Sequence, residues 1–372
     1  MNTKLAIRMF AHSWVSDWNH GNAHFLRGLA RALVRKGHDV RCYEELGSWS
    51  LKNLIDEEGD QATEAIDDFR AKFPELDVRF YSQGSSLAQS LKTELSGADL
   101  VLVHEWNDPA VVNTILSLKN ELGFKALFHD THHRAYTNAG EILRFQLHKF
   151  DGVLAFGNSI RNIYIDGFGV SRAWTFHEAA DVDDFTPLDL EEKDIDVLWI
   201  GNWGDEERTR ELQEFLITPA RQLKNARVVV HGVRYPKQGL QKLSAAGIEY
   251  RGYLPNLKSP EVYGQSKIAV HVPRRQYANG LSGVPTIRVF EALACGVPLV
   301  CSPWTDVEGL FHAGHDYITV PNGSAMKSEI SRLLADDTAR KQMAEHGLAT
   351  IRAQHTCEHR AEQLLEIVEE IG

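Results

Sequence analysis

The sequence predicts an α/β protein built from two parallel, doubly wound halves, and three observations carry that prediction. Short apolar runs alternate with amphipathic helical patterns almost throughout, as in parallel strands covered by helices. The alternation is interrupted by the acidic stretch Leu188-Asp-Leu-Glu-Glu-Lys-Asp194 and then begins again. A length of 372 residues exceeds one ordinary domain and suits two of roughly 180, each able to bury a core of its own.

Taken in order, residues 5–10 read as the first strand and 23–36 as a helix that Gly37 ends. Further strands are expected at 40–43, 78–81, 100–103, 126–128 and 153–156, which completes one sheet. A second sheet is expected from 197–200, 228–231, 248–250, 268–272, 299–301 and 318–320. These runs place a first domain at 1–180, a linker at 181–194 and a second domain at 195–357. A terminal helix at 358–372, with Leu364, Leu365 and Val368 set among glutamates, is expected to pack on a domain surface. The acidic segment 56–68 reads as a solvated loop and helix face.

Composition narrows the classes. A formal net charge of −11 argues against nucleic acid as the main partner, because that binding draws on clustered Lys and Arg. The start of the chain has no run of signal-peptide length, and nowhere do 18 apolar residues follow one another, so a cytoplasmic protein without a transmembrane segment is expected. Cys42, Cys295, Cys301 and Cys357 lack paired metal spacing and read as structural thiols. There is neither a Gly-x-Gly-x-x-Gly fingerprint nor a Gly-x4-Gly-Lys-Ser/Thr loop, which weakens dehydrogenase and nucleotide-triphosphatase readings.

Ligands of open α/β sheets bind outside the carboxyl ends of the strands, so residues just after each strand are the candidates. In the second half the turn Gly201-Asn-Trp203-Gly-Asp-Glu-Glu-Arg208-Thr-Arg210 leads into a helix whose free N–H groups suit a phosphate, with Arg208 able to close over it. Residues 285–302 join an amphipathic helix to a buried strand. There Phe290, Leu293 and Ala294 keep a packed rhythm while Arg288 and Glu291 share one side. In the first half Phe128-His129-Asp130-Thr-His132-His133-Arg134 follows an apolar strand, His104-Glu105-Trp106 follows its neighbour, and 14–22, with His20 and Gly21, follows the first strand. Such a His/Asp/His/His run also suits zinc or iron. It lacks the His-x-His-x-Asp-His or His-Glu-x-x-His order of familiar hydrolases, and no metal is expected.

Several of these segments, in register along the chain, resemble GT-B glycosyltransferases of the family-4 and spore-maturation types. They are 285–302, Asp196-Val-Leu-Trp-Ile-Gly201, Arg251-Gly-Tyr-Leu-Pro255 and His177-Glu-Ala-Ala-Asp-Val-Asp-Asp-Phe-Thr-Pro187. The resemblance implies two Rossmann-like domains facing across a cleft and transfer of a sugar from a nucleotide-diphosphate sugar, UDP-sugar favoured, to an acceptor hydroxyl. The acceptor would be a glycan, lipid, protein or small molecule, and no cofactor or metal would be needed. On the donor side it implies phosphate or sugar contacts at Gly201, Trp203, Arg208, Arg288 and the main chain of Thr286 and Ile287, with Glu291 taking the ribose hydroxyls and Tyr253 near the base. It also implies that His129 touches the transferred sugar, that Asp130 or His132 would serve as general base if configuration inverts, and that His20, Gly21, His104 and Glu105 lie on the acceptor side. One departure stands out: where the family-4 enzymes carry Glu-x7-Glu, this chain has Gly283 before Glu291. A nucleotide-sugar epimerase and a noncatalytic nucleotide-sugar binder are the alternatives, and Gly283 favours the binder. From sequence, Glu291→Ala is expected to impair donor use without unfolding the protein.

Overall fold

The structure is a computed structural model of the chain and describes residues 4–18, 21–190, 192–204 and 208–372, with Gln61 by its backbone alone. It divides into two compact units, Met1–Glu178 with Cys357–Gly372, and Ala179–Thr356. Residues 181–194 lie within the second unit, where Pro187 packs against Gly296 and Leu188 against Gly264.

In the first unit the strands are β1 (Ala6–Phe10), β2 (Asp39–Glu45), β3 (Asp77–Tyr81), β4 (Leu100–His104), β5 (Lys125–Asp130), β6 (Gly152–Ala155) and β7 (Ala173–Thr175). They form one seven-stranded sheet in the order β3-β2-β1-β4-β5-β6-β7, and every pairing is parallel. Helices cover both faces of such a sheet, so its central strands read as continuous apolar runs. In β4 no residue exposes more than 2% of its surface. The sequence did not point to β7, a three-residue edge strand whose Trp174 and Thr175 are only partly buried.

The second unit holds β8 (Ile195–Ile200), β9 (Val228–His231), β10 (Glu249–Tyr250), β11 (Ser266–His271), β12 (Leu299–Cys301) and β13 (Tyr317–Thr319). They form a six-stranded sheet in the order β10-β9-β8-β11-β12-β13. One core cluster gathers Trp199, Trp203, Phe215, Leu216, Val230, Val270 and Met326 against this sheet. The α/β class with two parallel sheets is therefore as the sequence predicts.

Helix α1 (Ala23–Arg35) ends where Gly37 takes φ +91°. The Gly37 N–H reaches the Val34 carbonyl and the His38 N–H the Leu33 carbonyl, a Schellman motif. The terminal helix (Cys357–Ile371) belongs to the first unit and lies along α1. Arg35 pairs with Glu358, Lys36 with Glu362 at 2.8 Å, and Trp174 Nε1 donates to Glu370 at 2.9 Å. Residues 56–68 are a turn and a solvated helix face, as expected: helices Trp49–Glu58 and Ala62–Lys72 meet there through Gly59–Gln61, and buried Leu51, Leu54 and Phe69 on either side seat the pair.

Two buried charges organise the segment after β1. Glu44, with no exposed surface, accepts from Trp14 N at 2.6 Å, Val15 N at 2.7 Å and the Ser16 hydroxyl. On the other side Arg27 donates through Nε to the Trp14 carbonyl at 2.8 Å and pairs with Asp17 at 3.1 Å, both side chains at most 2% exposed. Removing one member of such a pair strands the other charge away from water. Arg27→Ala is expected to destabilise the first unit by about 3–5 kcal/mol, read as a lowered urea midpoint, with unfolding of the second unit unchanged.

Candidate donor and acceptor sites

In the second unit the chain steps outward from β8 to β9 and β10, then returns to place β11 on the other side of β8. Strand order therefore reverses between β8 and β11, where loops diverge and leave a crevice. His271 ends β11 with 5% exposure, its Nε2 3.3 Å from Thr286 Oγ1. Burial, with Arg208 and Arg288 nearby, lowers its pKa from 6.5 to about 3, so the ring is neutral at physiological pH. Arg208 Nη1 donates to the Val272 carbonyl at 2.9 Å, and its guanidinium carbon lies 5.6 Å from the centroid of the Trp199 ring. Two guanidiniums and a neutral imidazole thus meet at one strand end.

Helix α2 (Ile287–Ala294) starts beside them. Its C-terminus is a second Schellman motif, with Gly296 at φ +63°, Gly296 N bonded to the Leu293 carbonyl and Val297 N to that of Ala292. Every residue of α2 except Arg288 is buried. Glu291 has no exposed surface: it accepts from Asn256 Nδ2 at 2.9 Å and Tyr263 OH at 3.3 Å, and pairs with Arg288. The outward member of the pair is therefore Arg288, whose side chain is 23% exposed. Gly283 sits at φ +83°, and a Cβ there would stand 2.5 Å from Val307 Cγ2 and 3.0 Å from Glu308 Cγ. Both the backbone conformation and the space require glycine.

The remaining donor-side candidates divide. Gly201 lies at the end of β8 with its N–H bonded to the His231 carbonyl. Tyr253 is half-buried and Thr286 partly exposed, while Ile287 is buried. Trp203 belongs to the core, 4% exposed, with Nε1 donating to Thr209 Oγ1 at 2.9 Å.

In the first unit the corresponding reversal lies between β1 and β4. His104 and His129 are register partners on β4 and β5, with ring centroids 5.5 Å apart. His104 Nε2 lies 2.9 Å from Thr131 Oγ1, which also accepts from Asn22 Nδ2 at 2.8 Å. His12, after β1, stacks on His104 at 5.8 Å. His129 is 1% exposed between the rings of Phe25 and Phe176, and burial lowers its pKa to about 3. Asp130 is buried and fully engaged, accepting from Tyr164 OH at 2.6 Å and from His132 N at 2.9 Å. It thereby fixes the turn carrying His132, which is half-buried with its ring 5.0 Å from that of Trp106. Glu105 is likewise fully buried and pairs with Arg134. Burial raises both carboxyls, Glu105 further under the charge of Asp130. Gly21 is partly exposed, and His20 lies outside the described residues.

Residues 208–366 match the family described as "Glycosyl transferase-like". Among solved structures the chain is similar to Anabaena HepE in complex with UDP and glucose, at TM-score 0.70 and 13% identity over 98% of this chain and 99% of that one. It is similar to a glycosyltransferase from Rickettsia africae at TM-score 0.67 and 13% identity, over 100% of this chain and 99% of that one. It is also similar to sucrose-phosphate synthase from Thermosynechococcus elongatus at TM-score 0.65 and 13% identity, over 99% of each chain. The chain shares the GT-B fold of these structures, and its segment 208–366 is glycosyltransferase-like. No curated protein matches its sequence.

Two residues at these sites escaped the sequence reading, His12 and His271. The signal was available, since each follows or ends an apolar strand, but a single imidazole at a strand end is most often a core residue. Its four cysteines are buried and free, and no helix among the described residues is long and apolar enough to cross a membrane.

The buried groups of the second unit make two predictions. Glu291→Ala leaves Arg288, Asn256 and Tyr263 without their shared acceptor, so it should lower stability of the second unit by about 1–3 kcal/mol, read by chemical denaturation. His271 binds a proton more weakly folded than unfolded, so it favours the native state above pH 6.5 and loses that contribution as pH falls toward its folded value near 3. Between pH 6.5 and 5 the second unit should lose up to about 1.4 kcal/mol per pH unit from this group. A His271→Asn variant should show a correspondingly flatter fall in urea midpoint.

Proposed function

We propose that this glycosyltransferase transfers a sugar from a nucleotide-diphosphate sugar, a UDP-sugar first among them, to an acceptor hydroxyl, without a metal. The observation that carries this is the convergence of Arg208, Arg288 and neutral His271 at the strand reversal of the second unit. Breaking the sugar–phosphate bond leaves growing negative charge on the diphosphate, and fixed cationic donors at that point favour the transition state over the ground state. Guanidiniums fit phosphate oxygens in a fork, which supports the metal-independent reading. Glu291, fully buried among Asn256, Tyr263 and Arg288, acts in this proposal by holding Arg288 outward. The Thr286 and Ile287 main chain begins α2 beside the phosphates, and Tyr253 stands toward the base. That HepE was solved with UDP and glucose supports UDP as the nucleotide to try first.

On the acceptor side, His129 enters as a neutral hydrogen-bond partner, because an imidazole with a pKa of about 3 carries no charge at neutral pH. Asp130 is a positioning residue, since both of its oxygens are taken by Tyr164 and the His132 N–H. His132 is then the more open candidate base. The proposed compartment is the cytoplasm, whose reducing conditions suit four free thiols.

A noncatalytic nucleotide-sugar binder remains the second reading, on one observation: at Gly283 neither space nor backbone admits the glutamate of the Glu-x7-Glu pair. A panel of UDP-, GDP-, dTDP- and CMP-sugars, followed by thermal stabilisation and nucleotide release, separates the two. Stabilisation by a UDP-sugar with slow UDP release is expected, whereas stabilisation without release under any acceptor would favour the binder. Arg208→Ala and Arg288→Ala should each weaken UDP binding by about 1.5–3 kcal/mol, roughly ten- to a hundredfold. Wild-type affinity in both variants would remove the proposed diphosphate site.

A further inference from the structure

We propose that the exposed indole of Trp106 is a stacking platform for a neutral carbohydrate acceptor, an inference that rests on reading the chain as a sugar transferase. Trp106 follows β4 at the strand reversal of the first unit, where ligands of open α/β sheets bind. It is 40% exposed, although Trp14 and Trp18, in the neighbouring segment after β1, are 1% and 6% exposed. Those two anchor their segment. Trp106 instead presents ring surface to solvent at the edge of the sheet.

The ring is mounted rather than loose. The Arg134 guanidinium carbon lies 3.8 Å from the indole centroid, so it covers one face. Arg134 is held in turn by the carboxylate and the main-chain carbonyl of Glu105, which has no exposed surface. His132 meets the ring edge-on at 5.0 Å, and His12 lies tilted at 6.0 Å. A rigid aromatic surface loses little conformational entropy when a ligand settles on it, which favours recognition.

Charge and rim chemistry select the ligand. Two buried carboxylates, Glu105 and Asp130, share the one guanidinium of Arg134, so the cluster has no surplus positive charge to attract a phosphate or carboxylate. His12 is held neutral at physiological pH, its pKa lowered to about 3 by burial and by Arg134. The ring face carries the negative end of its quadrupole, which suits the polarised C–H groups on one side of a sugar ring. The neutral His12 imidazole can both donate to and accept from hydroxyls, and His132 adds a second imidazole at the ring edge. An uncharged, hydroxyl-rich ring matches each of these features.

The test is calorimetric titration of the purified full chain with maltotriose, cellotriose, chitotriose and p-nitrophenol, with UDP in parallel. At least one trisaccharide should bind. Trp106→Ala should weaken that binding by about three- to tenfold, and Trp106→Phe should restore much of it. The melting temperature and the stabilisation by UDP should stay at wild-type values in both variants. Binding of none of the trisaccharides, equal binding by Trp106→Ala, binding of p-nitrophenol alone, or a loss that tracks a lower melting temperature would each overturn the platform. UDP binding without any trisaccharide binding removes the platform alone, whereas trisaccharide binding without UDP removes the transferase reading and leaves the platform standing.

Discussion

A carboxylate withdrawn from water must have donors built around it, and in both units that requirement shapes the edge of the sheet where ligands bind. Glu291 gathers Asn256, Tyr263 and Arg288 at the start of α2. Glu105 gathers Arg134, Asp130 gathers Tyr164 and the His132 N–H, and Glu44 gathers the main chain after β1. None of these four carboxylates has exposed surface. Each instead turns a loop into a fixed shape and leaves another group, such as Arg288 or Trp106, facing outward.

Parallel sheets make this arrangement possible. All strands in a unit point the same way, so every β-to-α connection leaves from one edge, and residues far apart in sequence are brought together there. His12, His104 and His129 come from three different connections or strand ends. Arg208, His271 and Arg288 do the same in the second unit. Burial lowers His12, His129 and His271 because a charged imidazole inside the protein loses its hydration, and beside His12 and His271 a guanidinium adds its repulsion. The histidines therefore act as neutral donors and acceptors, and the positive charge is left to arginine.

Much of the fold could be read along the chain. Apolar runs of three to six residues separated by helical patterns report parallel strands because both faces of those strands are covered. Glycines after helices, Gly37 and Gly296, report the ends because the left-handed conformation excludes most side chains. β7 could not be read, since its three residues are held by neighbours rather than by a pattern of their own. The helix pair at 49–72 was hidden by its charge, which outweighed the few buried residues that seat it. Trp203 shows the same limit at the site: its place after β8 suggested a ligand contact, and only the packing put it in the core.

By itself, the sequence determined the α/β class, the two series of strands, the amphipathic helix that Gly296 ends and the residue types at each strand end. These follow from local periodicity and from the few residues that tolerate a turn. Tertiary structure decided which polar side chains face inward and which outward. It turned Glu291 into an internal anchor and Arg288 into the exposed partner, engaged both oxygens of Asp130, and left Trp106 open on a mount of Arg134 and Glu105. It also gave a reason for Gly283, which no spacing rule contains: the backbone there is left-handed and Val307 fills the space a side chain would need. Such outcomes depend on distances between segments remote in the chain, and those distances exist only once each sheet has assembled.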